Sequence, residues 1–153
     1  MFPDPLMKTP IAVLLARKGS SVFSVAVAAS VADAVRVMNL NQVGSIVVMQ
    51  GGHLAGIFTE RDVLTRVVAS GRVPEFTSMA DVMTRNPITV TPRATVEEVM
   101  SLFTERRVRH IPVVAEGDES IVGLISIGDV TRWMVDSHRS EAEQLRQYIS
   151  GSY

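Results

Sequence analysis

Apolar residues recur at helical spacing twice along the chain, and the same order of element types follows each time. Val31, Ala34, Val35 and Met38 come after Ser30, and Val96, Val99, Met100 and Phe103 come after Thr95. Both sets fall at i, i+3, i+4 and i+7, the spacing of one buried face of an amphipathic helix behind a hydroxyl N-cap. Next come two β-branched apolar runs, Ser45-Ile46-Val47-Val48-Met49 and His110-Ile111-Pro112-Val113-Val114, each predicting a buried strand. Gln50-Gly51-Gly52-His53 predicts a tight hairpin turn, and Glu116 to Ser120 a turn two residues longer. The return strands run from Leu54 to Phe58 and from Ile121 to Ile125. Thr59 and Ser126 then open further helices, the first running to about Ser70 with Gly71 as its stop. Short strands are expected at Val22–Val25 and Ile88–Val90, before the amphipathic helices.

The two halves are copies. Val25/Val90, Val31/Val96, Val43/Val108 and Ile46/Ile111 are each 65 residues apart; beyond the longer turn, Gly56/Gly123, Asp62/Asp129 and Val63/Val130 are 67 apart. A fixed offset broken by one insertion at a turn is the mark of an internal duplication. The reading is an α+β chain of two β-α-β-β-α units packed sheet to sheet about a pseudo-two-fold axis and sharing a core, since one such unit is too small to bury a good core alone. The expected divisions are a lead-in and short helix over 1–19, a first repeat over 20–71, a connector over 72–86, a second repeat over 87–138 and a C-terminal helix over 139–153. Residues 1–10, with three prolines, read as a loose lead-in. Ile11 to Lys18 reads as a short helix between Pro10 and Gly19, and Met79 to Met83 as about one helical turn.

Composition narrows the function. The formal net charge is −1, which argues against nucleic acid as a partner, and the arginine run at Arg106, Arg107 and Arg109 changes that little. There is no cysteine, hence no disulfide, thiol nucleophile or thiolate metal site, which suits a reducing compartment. No run of apolar residues is long enough for a membrane span, and a charged pair closes the short apolar run before Gly19, so the expectation is a soluble, cytoplasmic protein. His53 and His138 lack a second ligand nearby, and no metal site is expected. No nucleophile elbow, Walker loop, dinucleotide fingerprint or zinc-protease motif is present, so no catalytic residue is assigned.

The chemistry lies in the duplicated stretch. Gly56-Ile57-Phe58-Thr59-Glu60-Arg61-Asp62-Val63 and Gly123-Leu124-Ile125-Ser126-Ile127-Gly128-Asp129-Val130 each run from a strand into a helix, with a hydroxyl at the N-cap and an aspartate three residues on. Helix starts of this kind can hold an anion, and the pair of carboxylate oxygens on Asp suits a ribose diol. The same spacing equally describes a plain capping box.

With both sets in register, residues 20–138 resemble a tandem pair of cystathionine-beta-synthase (CBS) domains, the arrangement called a Bateman module, of the small stand-alone bacterial type. The resemblance implies a non-catalytic regulatory module that binds adenine nucleotides (AMP, ADP or ATP, and in some relatives NAD) between the repeats, signals energy or redox state to an unknown regulated protein, and pairs into a homodimer. It implies that Asp62 and Asp129 accept from ribose hydroxyls, that Thr59 and Ser126 meet phosphate, that Ser24 and Thr89 line the pocket, and that the backbone near Ile46 and Ile111 reads the adenine edge. The alternative is a dimerisation scaffold whose clefts are vestigial. Arg109-His110 stands in the second unit where the first has Gly44-Ser45, so the two sites should be unequal, with a cationic pair beside phosphate in the second only. Val47 in place of Pro112 makes the first unit read as the less regular copy. Arg61 reads as a surface helix residue or as a second reach to phosphate.

Overall fold

The computed structural model describes residues 4–19 and 21–150. A short 3₁₀ turn at Pro5–Lys8, capped by the Asp4 side chain, precedes α1 (Ile11–Lys18). The first unit follows as β1 (Ser24–Ala26), α2 (Val31–Leu40), β2 (Ser45–Gln50), β3 (His53–Thr59) and α3 (Glu60–Asp62), which continues as a π-helix over Val63–Val68. A 3₁₀ turn at Pro74–Phe76, α4 (Met79–Val82) and the two-residue strand β4 (Thr84–Arg85) make the connector. The second unit contains α5 (Val96–Arg106), β5 (His110–Val114), β6 (Ile121–Ser126) and α6 (Ile127–Ser150).

The caps are as the sequence implies. Ser30 Oγ accepts from Asp33 N, and Thr95 with Glu98 forms a reciprocal capping box at the start of α5. Gly51 and Gly52 take φ of 57° and 79°, the left-handed pair that a two-residue hairpin requires. β4 is an addition to the expected elements: it pairs with β3 through Gly56↔Arg85 and Ile57↔Thr84, extending the first sheet to β1-β2-β3-β4. The helix opening after Ser126 and the polar helix expected further on are one element, the 24-residue α6. No described helix is long and apolar enough to cross a membrane.

The first short strand sits one to two residues later than its apolar residues suggest, and its counterpart in the second unit is reduced to a bridge. In the first unit β1 pairs with β2 through Ser24↔Val47, Val25↔Val48 and Ala26↔Met49. In the second, only Val90↔Val113 remains, and the sheet has two strands, β5 and β6. The offset of 65 is kept, so the register is the same. The difference lies in one donor: Val47 N donates to Phe23 O at 3.2 Å, and Pro112 at the equivalent position has no N–H. The second unit, not the first, is therefore the less regular sheet.

The buried apolar residues form two clusters rather than one shared core. The first joins Val31, Ala34, Met38, Ile46, Val48, Phe58 and Val67 to Met79, Val82 and Met83 of the connector. The second joins Val96, Val99, Phe103, Ile111, Val113, Ile125, Val130 and Trp133 to Ile11, Leu14 and Leu15 of α1. Thus α1 does for the second unit what α4 does for the first. The backbone bonds coincide in pairs: Val31 N to Thr77 O and Val96 N to Thr9 O, Met79 N to Ala29 O and Ile11 N to Ala94 O, Ala80 N to Val27 O and Ala12 N to Pro92 O. Residues 4–10 are therefore no loose lead-in, since Leu6 and Met7 also pack against the second cluster; residues 1–3 of the expected lead-in lie outside the described residues. On the opposite face of the first sheet Val47 and Ile57, register partners, are buried as well. A sheet buried on both faces needs a layer on each side.

Candidate functional site

Each unit brings a hydroxyl and a carboxylate together where its last strand meets its helix. In the first, Asp62 Oδ2 accepts from Thr59 N at 2.9 Å and from Thr59 Oγ1 at 3.2 Å, while Asp62 N donates to Thr59 Oγ1 at 3.3 Å. In the second, Ser126 N donates to Asp129 Oδ2 at 2.9 Å and Asp129 N to Ser126 Oγ at 3.1 Å. Both are capping boxes, so the plain structural reading of these residues holds, and it also fixes the carboxylates. The two side chains are 13% and 12% exposed. Equivalent backbone bonds, Glu60 N to Gly44 O at 3.0 Å and Ile127 N to Arg109 O at 3.1 Å, tie each helix start to the residue before the buried strand.

The cations around the two carboxylates differ. Asp62 Oδ1 lies 3.5 Å from Arg66 Nε, and the Arg66 guanidinium is itself anchored on Val82 O and Met83 O at 3.0 and 2.9 Å. Asp129 Oδ2 instead accepts from Lys18 Nζ at 2.6 Å, and the same ammonium donates to Leu124 O at 2.7 Å. Asp129 Oδ1 faces Arg132 Nη2 at 3.5 Å and keeps lone-pair capacity. Burial pushes the Asp129 carboxyl up, but the bond and charge of Lys18 and the Ser126 donors outweigh it and hold it below the ordinary carboxylate value. Lys18, Asp129 and Arg132, with Arg17 and Asp136, line a cleft of ≈ 420 Å³.

His110 opens β5 opposite Ser126. Its pKa lies below the ordinary imidazole value, first through burial and then through the charge of Lys18, with Arg109 pushing the same way and Asp129 and Glu60 opposing. Near neutral pH His110 is therefore a neutral hydrogen-bonding group. The expected cationic pair Arg109-His110 carries one charge, on Arg109, and the cations paired with Asp129 are Lys18 and Arg132. Among the described residues no three His, Cys, Asp or Glu gather to hold a metal ion.

Residues 7–69 and 79–136 each match the CBS domain. The chain belongs to the CBS-domain family. It is 44% identical over 129 residues, 81% of this chain, to a mitochondrial CBS-domain protein of Arabidopsis thaliana, and spans 62% of that protein's length. A CBS-domain protein from Burkholderia ambifaria superposes with a TM-score of 0.79 at 34% identity, covering 84% of this chain and 95% of the other. One from Pyrobaculum aerophilum, whose structure is a complex with AMP, superposes with a TM-score of 0.71 over 79% of this chain and 89% of its own; at 23% identity it speaks for the fold alone.

Within this CBS pair the remaining predicted residues are dispersed. The structure brings Ser126, Asp129, Arg109 and His110 to one turn, and Thr59 and Asp62 to the other. Ser24 is exposed and opens β1; Thr89 is exposed, outside any named strand, beside the Val90 bridge. Ile46 and Ile111 have fully buried side chains in the two clusters, so only their backbones are open to a ligand role. Arg61 is exposed, and its carbonyl accepts from Thr65 Oγ1 at 2.9 Å. Sequence reasoning missed Lys18, Arg66, Arg132 and Glu60. Arg66 and Arg132 stand four and three residues after their aspartates, a helical spacing that marks them as partners. Lys18 has a fainter signal: Thr9-Pro10-Ile11-Ala12-Val13-Leu14-Leu15 repeats Thr77-Ser78-Met79-Ala80-Asp81-Val82-Met83 at an offset of 68.

Proposed function

We propose that this CBS pair is a non-catalytic regulatory module that binds adenine nucleotides, AMP, ADP, ATP or NAD, at the two strand-to-helix turns, and passes the bound state to a partner protein. The observation that carries the reading is Asp129: a carboxylate fixed at the start of a long helix, with lone-pair capacity on Oδ1 for ribose hydroxyls, beside two cations, Lys18 and Arg132, for phosphate, and with the Arg109 backbone tied to the same helix start. The Pyrobaculum aerophilum CBS protein, of the same fold, is itself a complex with AMP. Glu60 stands where Ile127 stands in the second unit, and Gly44 where Arg109 does, so the first site is poorer in positive charge and a phosphate-rich ligand prefers the second. A ligand that contacts both units and fits one of their relative arrangements better shifts the population toward it, which is all that regulation requires.

Thermal unfolding of nucleotide-stripped protein with AMP, ADP, ATP and NAD in turn tests this. A ligand at ~100 times its Kd adds about 2.7 kcal/mol, a rise of roughly 5–10 °C for a chain of this size. No rise with any of the four refutes the reading. A second reading, an interaction scaffold acting as a homodimer, is favoured by the exposed Leu64, Val68, Val73 and Phe76, at 64%, 64%, 49% and 89% exposure. It predicts a concentration-dependent dimer that no nucleotide stabilises.

A further inference from the structure

We propose that Lys18 is a phosphate-binding and selectivity residue of the second site, resting on Asp129 in the absence of ligand and transferring to an anionic group when a ligand arrives. The inference rests on the nucleotide reading above and adds to it a residue from outside the CBS unit that it serves. Lys18 ends α1, and α1 is a fixed part of the second unit: Ile11, Leu14 and Leu15 are in its core, and Ile11 N and Ala12 N bond to Ala94 O and Pro92 O. The ammonium therefore does not reach the site by chance of a loose terminus. It is also free to move, because the side chain is 36% exposed and a lysine carries its charge on a long flexible stem.

The two contacts it makes define what it does. While Lys18 Nζ holds Asp129 Oδ2 at 2.6 Å, that oxygen is engaged by Lys18 and Ser126 N together and has little left for a ribose hydroxyl. A neutral nucleoside whose diol takes both carboxylate oxygens must compete with the ammonium for Oδ2 and gives it nothing in return. A nucleotide gives it phosphate oxygens, so the lost ion pair is replaced by another. The site thereby favours charged ligands over uncharged ones bearing the same base and sugar. Among the described residues the first unit has no such device: under the 68-residue offset Lys18 corresponds to Asn86, and α4 ends after four residues where α1 runs for eight. Asp62 is instead paired with Arg66 of its own helix, whose guanidinium is tied to two backbone carbonyls.

Isothermal titration of the full chain with adenosine and with AMP tests the inference, comparing wild type, Lys18→Met and Lys18→Gln. The glutamine variant can still donate to Leu124 O, so it keeps α1 docked if the methionine variant does not. AMP binding should weaken by roughly five- to tenfold in the folded variants, the loss of one charge-assisted contact at a half-exposed site. Adenosine binding should tighten by about two- to fivefold, because the ion pair it had to break is gone. Opposite signs for the two ligands in either folded variant support the assignment. Changes of the same sign, or no change, in a wild type that binds AMP overturn it while leaving the nucleotide reading intact. A wild type that binds neither ligand removes both.

Discussion

Gly56 and Gly123 hold equivalent places in the duplicated motif, yet a methyl group added at each meets a different kind of obstacle. At Gly56 a Cβ would lie 2.6 Å from Thr84 O and 2.7 Å from Met83 Sδ. The carbonyl belongs to β4, which is held by its pairing with β3 at this same residue, so relief requires the edge of the sheet to shift. Overpacking of that kind costs about 1–3 kcal/mol, and the reduced freedom of the unfolded chain returns about 0.4–1 kcal/mol. Gly56→Ala should therefore lower stability by about 1–2 kcal/mol, or roughly 2–8 °C in Tm. At Gly123 the Cβ would lie 2.9 Å from Leu15 Cδ2, the end of a side chain that can rotate. An off-rotamer leucine costs about 0.5–1.5 kcal/mol, close to what the unfolded-state effect returns, so Gly123→Ala should stay within about 1 kcal/mol of wild type. Calorimetry of the two variants, with Gly123→Ala repeated in a Leu15→Ala background, checks this. In that background the obstacle is gone and Gly123→Ala should become neutral or stabilising. A Gly56→Ala protein as stable as wild type, or a Gly123 penalty unchanged by removing Leu15, would refute the placement of β4 or of α1.

The pKa of His110 is lowered below 6.5, so the unfolded chain binds the extra proton first; its contribution to stability is complete above that value and is lost as pH falls through it toward the folded-state pKa. Urea titrations at pH 7.5 and at pH 5.5 should show a drop that His110→Gln reduces, and an equal drop in both proteins would dismiss this source. Thr95→Ala removes the hydroxyl half of the α5 capping box and should cost about 1 kcal/mol, or roughly 2–4 °C in a thermal melt. Ending the chain after His138 removes a stretch of α6 whose side chains through Ser150 are all exposed; the melting temperature should move by no more than about 1 °C, and a larger loss would mean that this stretch packs on something.

Much of this architecture can be read directly from residue spacing. The i, i+3, i+4, i+7 faces, the hydroxyl caps and the doubled glycine of the hairpin are local signals, and the elements form where those signals stand. The α+β class and the duplication follow from them. What escapes is what depends on a distant partner. β4 is two residues long and exists only because β3 offers an edge. The reduction of Ile88–Val90 to a bridge depends on Pro112, across the sheet. The carboxylates Asp62 and Asp129 were legible because duplication marks them; Lys18 was not, because it reaches Asp129 across 111 residues from a segment with no polar motif of its own. Arg109-His110 looked like a doubled positive charge because sequence does not show burial, and burial is the main reason His110 stays neutral.

The exchange of partners between α1 and α4 also sets an order of assembly. α4 follows the first unit directly, so that unit has every piece of its cluster as soon as the connector has been synthesised. α1 is made before the first unit and packs into the cluster of the second, with Lys18 and Asp129 as one measure of the gap. Until α5, β5 and β6 exist, Ile11, Leu14 and Leu15 have no cluster to enter and their apolar face is left to water or to a chaperone. Closing so long a loop is slow compared with forming the local contacts of the first unit. The second unit, where Lys18 meets Asp129, should accordingly be the last part of the chain to fold.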